Sequence, residues 1–211
     1  MGQKVNPIGF RVGRFGNWKS RWFDSGKNYK ESLIEDVKIR RMLMEKLKLA
    51  GIEAVEIERL PKSIVITLLV SRPGVVIGRG GSGIEDVKKQ VIKIMGQAKS
   101  KIDLHVTEIK NPELSAQLVA IRVASELERR MPSRRVVTKT MERIMQSGAK
   151  GVKILLSGRI NGADIARHEA YHIGSVPTQT MRENIDYAAT PALLKRGYVG
   201  IKVWIFKEEE N

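Results

Sequence analysis

The stretch VVIGRGGSGIEDVKKQVIKI, residues 75–94, decides the fold. Gly78, Gly80, Gly81 and Gly83 crowd a turn that opens into a helical pattern, with Ile84, Val87, Val91, Ile92 and Met95 on one face. Two templates fit the turn. Gly78, Gly80 and Gly83 spell the G-x-G-x-x-G of a dinucleotide-binding turn, with Asp103 about 20 residues on, where a ribose-binding acid is expected. Gly78 and Gly81 spell a G-x-x-G clamp, in which bare glycine backbone lets N–H groups approach the phosphates of a nucleic acid.

The surroundings favour the clamp. A dinucleotide fold needs its first glycine at the end of a strand and further alternating β-α units. Here Ser71-Arg72-Pro73-Gly74 separates the β-branched run SIVITLLV (Ser63 to Val70) from the turn, and two consecutive helical patterns follow Val106. A P-loop fails because Ile84-Glu85 stands where Lys-Ser or Lys-Thr is required. The order reads helix (Tyr29 to Ala50), strand (from Ile52), buried strand (Ser63 to Val70), short helix, glycine loop, helix, strand (from Ile102). That order suits a nucleic-acid clamp set between two helices, with Val75, Val76 and Ile77 expected to anchor the short helix on the sheet.

Charge points the same way. The chain has 211 residues with a net charge of +15, from 38 Lys and Arg against 23 Asp and Glu. Such a surplus favours a polyanionic partner. There is no cysteine, so disulfides and cysteine-held metals are excluded. No apolar run approaches the roughly 20 residues of a membrane span. The opening MGQKVNPIGFRVGRFGNWKSRW lacks the apolar core of a secretory leader, and its glycines and Pro7 argue against an amphipathic transit helix. With little apolar company, residues 1–27 read as an extended basic arm, disordered alone.

After the KH-like unit, Asn111-Pro112 reads as a helix start, Asn capping and Pro in the first position. One helix runs to about Arg130, and a second from beyond Pro132 to about Ser147. Then come strands VKILLSGRI and GYVGIKVWIF with two weaker ones between. Arg129, Arg130, Arg134, Arg135 and Lys139 cluster at the helix–helix junction, with Arg135, Lys139 and Arg143 at i, i+4, i+8 forming a basic stripe. HEAYH (His168 to His172) matches the zinc-hydrolase H-E-x-x-H, which needs a helix and a third ligand. Glycines and a proline flank it, so a solvent-facing strand is the better reading, with no metal and no cofactor.

Taken together, MGQKVNPIGFRVG, Trp18, Trp22, SRPGVVIGRGG, NPEL, GAKGVKILLSGRINGADIAR and GYVGIKVWIF resemble, in order and over essentially the whole chain, the bacterial-type third protein family of the small ribosomal subunit. The resemblance implies an α+β chain. Its parts are a basic arm (1–27), a type II KH domain with a mixed three-stranded sheet (28–110), an α+β domain of two helices on a four-stranded sheet (111–207) and a short acidic tail (208–211). It implies a cytoplasmic, non-enzymatic ribosomal component, with no membrane or small-molecule substrate. The implied partners are rRNA of the subunit head, mRNA at its entrance channel, and head proteins ten and fourteen. The implied residues are Gly78, Arg79, Gly80 and Gly81 in the KH loop. Gln3, Lys4, Arg11, Arg14, Trp18, Lys19, Trp22, Arg159 and Arg167 fall to rRNA, and Arg134, Arg135 and Lys139 to mRNA. Two departures stand out: the loop has one basic middle residue where the family often has two, and the third basic position of the mRNA cluster falls on Thr138. A free-standing KH regulator is the alternative, and sedimentation with ribosomal particles in high salt separates the two.

Overall fold

Two separate cores divide the chain in the computed structural model, which describes residues 3–60, 63–95 and 101–208. Residues up to Asn17 join those from Asn111 onward in one unit, and Trp18–Lys110 form the other. The basic arm is therefore shared between the units.

In the first unit, the arm contributes α1 (Pro7–Arg11). Asn6 caps it, its Oδ1 accepting from the Ile8 N–H at 2.9 Å, and Pro7 takes the first turn. The arm is not simply extended, because Arg11 is only 3% exposed and is enclosed by carbonyls of the same unit.

The second unit begins with β1 (Ser20–Arg21) and α2 (Gly26–Lys46), followed by β2 (Ile52–Arg59) and β3 (Ser63–Val70). Then come α3 (Pro73–Ile77), a 3-10 turn (Arg79–Gly81), α4 (Ser82–Met95) and β4 (Lys101–Glu108). The sheet order is β1-β2-β3-β4; β2 and β3 are antiparallel, and β3 and β4 parallel. The three expected strands thus gain a fourth at one edge, because Ser20 and Arg21 pair with Ile57 and Glu58.

Ile39 and Leu43 of α2 and Val87 and Val91 of α4 meet Ile57, Ile66 and Leu68 in the core. The run SIVITLLV is not buried on both faces. Ile64, Ile66, Leu68 and Val70 are buried, whereas Val65, Thr67 and Leu69 are half-covered, because this core lies on one face of the sheet only. Val76 alone anchors α3; Val75 and Ile77 are 49% and 39% exposed, since a five-residue helix turns only one side to the core.

Continuing the first unit are α5 (Ala116–Glu128), α6 (Ser133–Gln146), β5 (Gly151–Gly158), β6 (Arg167–Gly174), β7 (Ile185–Leu194) and β8 (Gly197–Phe206). The sheet order is β6-β5-β8-β7, antiparallel throughout. Strand alternation sends Val152, Ile154 and Leu156 of β5 and Ile201, Val203 and Ile205 of β8 into the core with Val123, Val137 and Ile144 of the helices.

The helix start differs from expectation. Pro112–Leu114 is a separate 3-10 turn with no side-chain cap from Asn111, and α5 begins at Ala116. The Ala116 N–H is satisfied instead by Asp186 Oδ2 of β7, 70 residues away, at 2.9 Å. A carboxylate there suits the positive end of the helix dipole. Glu208 pairs with Lys150 at 3.3 Å, and the remaining tail, 209–211, lies outside the described residues.

Candidate nucleic-acid interface

The glycine turn sits between α3 and α4, not after a strand, so the dinucleotide template fails on geometry. Its glycines do two jobs. Gly78 (φ 70°) and Gly83 let the two helices approach: a Cβ on Gly78 would stand 2.9 Å from the Gly83 nitrogen, and one on Gly83 would collide with the Val76 carbonyl. Gly80 and Gly81 (φ 62° and 84°) face open space, so what they supply is the left-handed turn and an uncovered backbone. Arg79 is exposed at the tip, and Ser82 Oγ donates to its carbonyl at 3.0 Å. Beside the loop stand the exposed apolar side chains of Val75 and Ile77. Bare backbone, one guanidinium, a helix N-terminus and apolar flanks can hold a phosphate and rest a base against the side.

In the other unit, α6 turns Val136, Val137, Met141 and Ile144 inward. Outside, Arg134, Arg135, Thr138, Lys139 and Glu142 line one shallow groove with Pro132. Thr138 and Lys139 thus share a surface, although they are about 100° apart around the helix. Arg143, expected in the same stripe, is half-buried and does not line the groove.

The candidates in the arm separate. Gln3, Lys4, Arg14, Trp18 and Lys19 are exposed. Arg11 is not free to meet RNA. Its Nε donates to the Glu183 carbonyl at 2.7 Å, and its Nη2 to those of Thr180 and Thr178 at 2.8 and 3.1 Å. Trp22 is also committed, its Nε1 donating to buried Asp36 at 2.8 Å while its ring lies under the Arg59 guanidinium at 5.7 Å. Arg40 donates to the Lys19 carbonyl at 2.7 Å; burial lowers its pKa, with Asp36 and Glu56 opposing. Arg159 holds its own loop, donating to the Ala163 carbonyl at 2.8 Å and to Asp164 at 3.1 Å, whereas Arg167 is exposed. Gln3, Lys4, Arg11, Arg14, Arg159 and Arg167 belong to the unit of the basic groove, and Trp18, Lys19 and Trp22 to that of the glycine loop.

HEAYH is part of β6. Strand alternation places His168 and His172 on the face away from the helices and Glu169 on the opposite face, where it accepts from the Tyr171 hydroxyl at 2.7 Å. Burial and then that hydrogen bond raise the Tyr171 pKa. A helical H-E-x-x-H puts both histidines and the glutamate within reach of one ion, and this strand does not. Among the described residues, no group of three His, Asp or Glu is arranged to hold a metal.

One feature was missed from sequence. On the sheet face away from the helices, Lys153 Nζ lies 5.6 Å from the Trp204 ring, and Tyr187 lies 5.2 Å from it on the other side. Burial raises the pKa of Tyr187. The alternation of β5, β7 and β8 carries this signal, but only the strand order brings the three residues together.

A glycine turn between two helices on a mixed sheet, followed by a second α+β domain, defines the class: a KH-domain protein with an α+β partner domain. A family model described as KH domain matches residues 38–114, and one described as Ribosomal protein S3, C-terminal domain, matches 123–205. The chain is 49% identical over 207 residues to the small ribosomal subunit protein uS3 of Caldicellulosiruptor saccharolyticus, covering 98% of this chain and 92% of that protein. It is 44% identical to that of Clostridium novyi over 209 residues (99% and 94%). To that of Persephonella marina it is 47% identical over 210 residues (100% and 92%). The chain belongs to the uS3 family of ribosomal proteins.

Proposed function

We propose that this chain is a structural, non-enzymatic component of the small ribosomal subunit in the cytoplasm, bound to rRNA in the lower part of the head and guiding mRNA at its entrance. Likeness to uS3 proteins along nearly the whole chain carries the ribosomal reading. Exposed Gln3, Lys4, Arg14, Trp18, Lys19 and Arg167, with the Gly78-Arg79-Gly80-Gly81 loop, supply the rRNA contacts. Head proteins ten and fourteen are the proposed protein neighbours. An apolar strip of α2 supports a protein partner, because Leu33, Ile34 and Val37 remain 43%, 43% and 58% exposed.

The groove of Arg134, Arg135 and Lys139 supports the mRNA role. Its donors are cations on one open surface, suited to phosphates of any sequence. The test is the mRNA affinity of reconstituted small subunits across a salt series, with all three residues changed to Ala. Losing three phosphate contacts lowers the salt slope by roughly 2–3 units, alike for unrelated messages. An unchanged slope with intact assembly leaves the groove a solvated face. Failed assembly places these residues against rRNA instead.

A further inference from the structure

Next to the basic groove a cavity of about 520 Å³ opens at one end of the same unit. Its walls are apolar: Leu127 from α5, Met131 and Pro132 from the α5–α6 turn, Ile160 from the loop after β5, and Leu194 and Val199 from the β7–β8 hairpin. Its rim is charged, with Arg130, Lys195 and Arg196 against Glu128, and with Asp164 paired to Arg196 beside it. The three cations are exposed.

The walls are braced. Arg130 and Asn161, the two non-glycine residues with left-handed φ among those described (62° and 54°), both line the cavity. The Arg130 N–H donates to the Leu127 carbonyl at 2.8 Å, which closes α5. Asn161 accepts from the Ser133 N–H at 3.3 Å and donates to Ser133 Oγ at 3.1 Å, which ties the 160–162 loop to the start of α6. Arg196 spans the mouth, donating to the Gly162 carbonyl and to Asp164. A preformed apolar hollow of this size falls within the roughly 300–1,000 Å³ of ligand sites.

Pro132 lines both the cavity and the groove of Arg134, Arg135 and Lys139. A strand whose phosphates follow the groove therefore passes the mouth. An acidic peptide would satisfy the rim and leave the walls unused, and an apolar peptide would do the reverse. A nucleotide of single-stranded RNA uses both, because it has a flat face to bury and a phosphate beside it. We propose that this cavity takes one unstacked base of the messenger strand, its flanking phosphates held by Arg130 and Lys195. The proposal rests on the mRNA reading of the groove and adds to it a contact made by a base.

The test compares a short single-stranded RNA with the same oligomer carrying abasic positions, both titrated against the full-length chain. The intact oligomer binds about tenfold tighter, as expected for one buried base. Leu193→Glu, at an exposed position of the mouth, brings that ratio toward one; Leu193→Met preserves it. Equal binding of the two oligomers by the unaltered chain overturns the proposal, as does a ratio indifferent to Leu193→Glu. Failure of the groove reading is distinct: replacement of Arg134, Arg135 and Lys139 by Ala then leaves the salt slope of both oligomers unchanged. In reconstituted subunits, 4-thiouridine in the message crosslinks to the peptide bearing Met131 or Leu194. Crosslinking from rRNA alone overturns the messenger as occupant, as does an acidic leucine-containing peptide that displaces the oligomer at lower concentration than free RNA.

Discussion

Arg11 Nε donates to the carbonyl oxygen of Glu183 at 2.7 Å, joining residues 172 positions apart. Carbonyls of Pro7, Thr178 and Thr180 accept from the same guanidinium at 3.2, 3.1 and 2.8 Å. Arginine suits the place because its planar fork carries five donors in fixed directions. The arm thereby closes the loop that leads into β7.

Arg11→Ala is expected to destabilise the protein by roughly 1–3 kcal/mol, because the side chain is itself buried and the partly buried carbonyls around it lose their donor. Arg11→Lys recovers little, since an ammonium cannot span the same set. Removing the residues before Asn17 shifts stability in the same direction. Denaturant unfolding measures all three, and an unchanged midpoint would show the contact to be dispensable.

Asp36 is 2% exposed and holds two partners in the KH unit. It accepts from Arg59 Nη2 at 2.6 Å and from Trp22 Nε1 at 2.8 Å. Asp36→Ala strands the Arg59 charge, with Glu35 at 2.9 Å as a partial substitute. A loss of roughly 2–4 kcal/mol is expected, less than a fully orphaned buried charge would cost. Quenching experiments should show Trp22 becoming more accessible in the same variant.

Gly83→Ala sets two effects against each other. Alanine favours a helix by about 1 kcal/mol over glycine. At this position its Cβ would meet the Val76 carbonyl, so α3 must move away from α4. The steric effect is expected to win, lowering the unfolding temperature and weakening RNA binding by the loop together. Gly80→Ala meets no neighbour and loses only the ease of its left-handed φ, about 1 kcal/mol. A more stable Gly83→Ala protein would refute the close approach of the two helices.

For the double variant His168→Ala, His172→Ala, stability is expected to stay within about 1 kcal/mol, since neither side chain is buried. Elemental analysis of the unaltered protein should find no stoichiometric zinc, and subunit assembly should not change. Zinc at one equivalent, lost in the variant, would mean that the segment abandons its strand when metal is present.

Most of the elements were legible in the chain because their signal is local. The 3.6-residue spacing of Val87 and Val91, the alternation along Ile52–Arg59 and the glycines at 78–83 each lie within one element or turn. The preference for a strand at HEAYH came from its flanking glycines and proline, and the histidines do alternate there on one face. On α6 the same local spacing turns Val137, Met141 and Ile144 inward.

What sequence by itself determined, then, was the kind and order of elements, the clamp-like glycine turn and the basic helix face. Only the tertiary structure decided which polar groups find partners. Asn111 looked like the cap of a helix, yet Asp186 bonds the first turn from a distant strand. The resemblance assigned Arg11 and Trp22 to rRNA, and the fold shows both closing contacts within the protein. The physical reason is range. Hydrophobic periodicity follows from the rise and turn of one element, whereas a hydrogen bond needs a donor and an acceptor within about 3 Å, and which distant groups come that close depends on the packing of the whole unit.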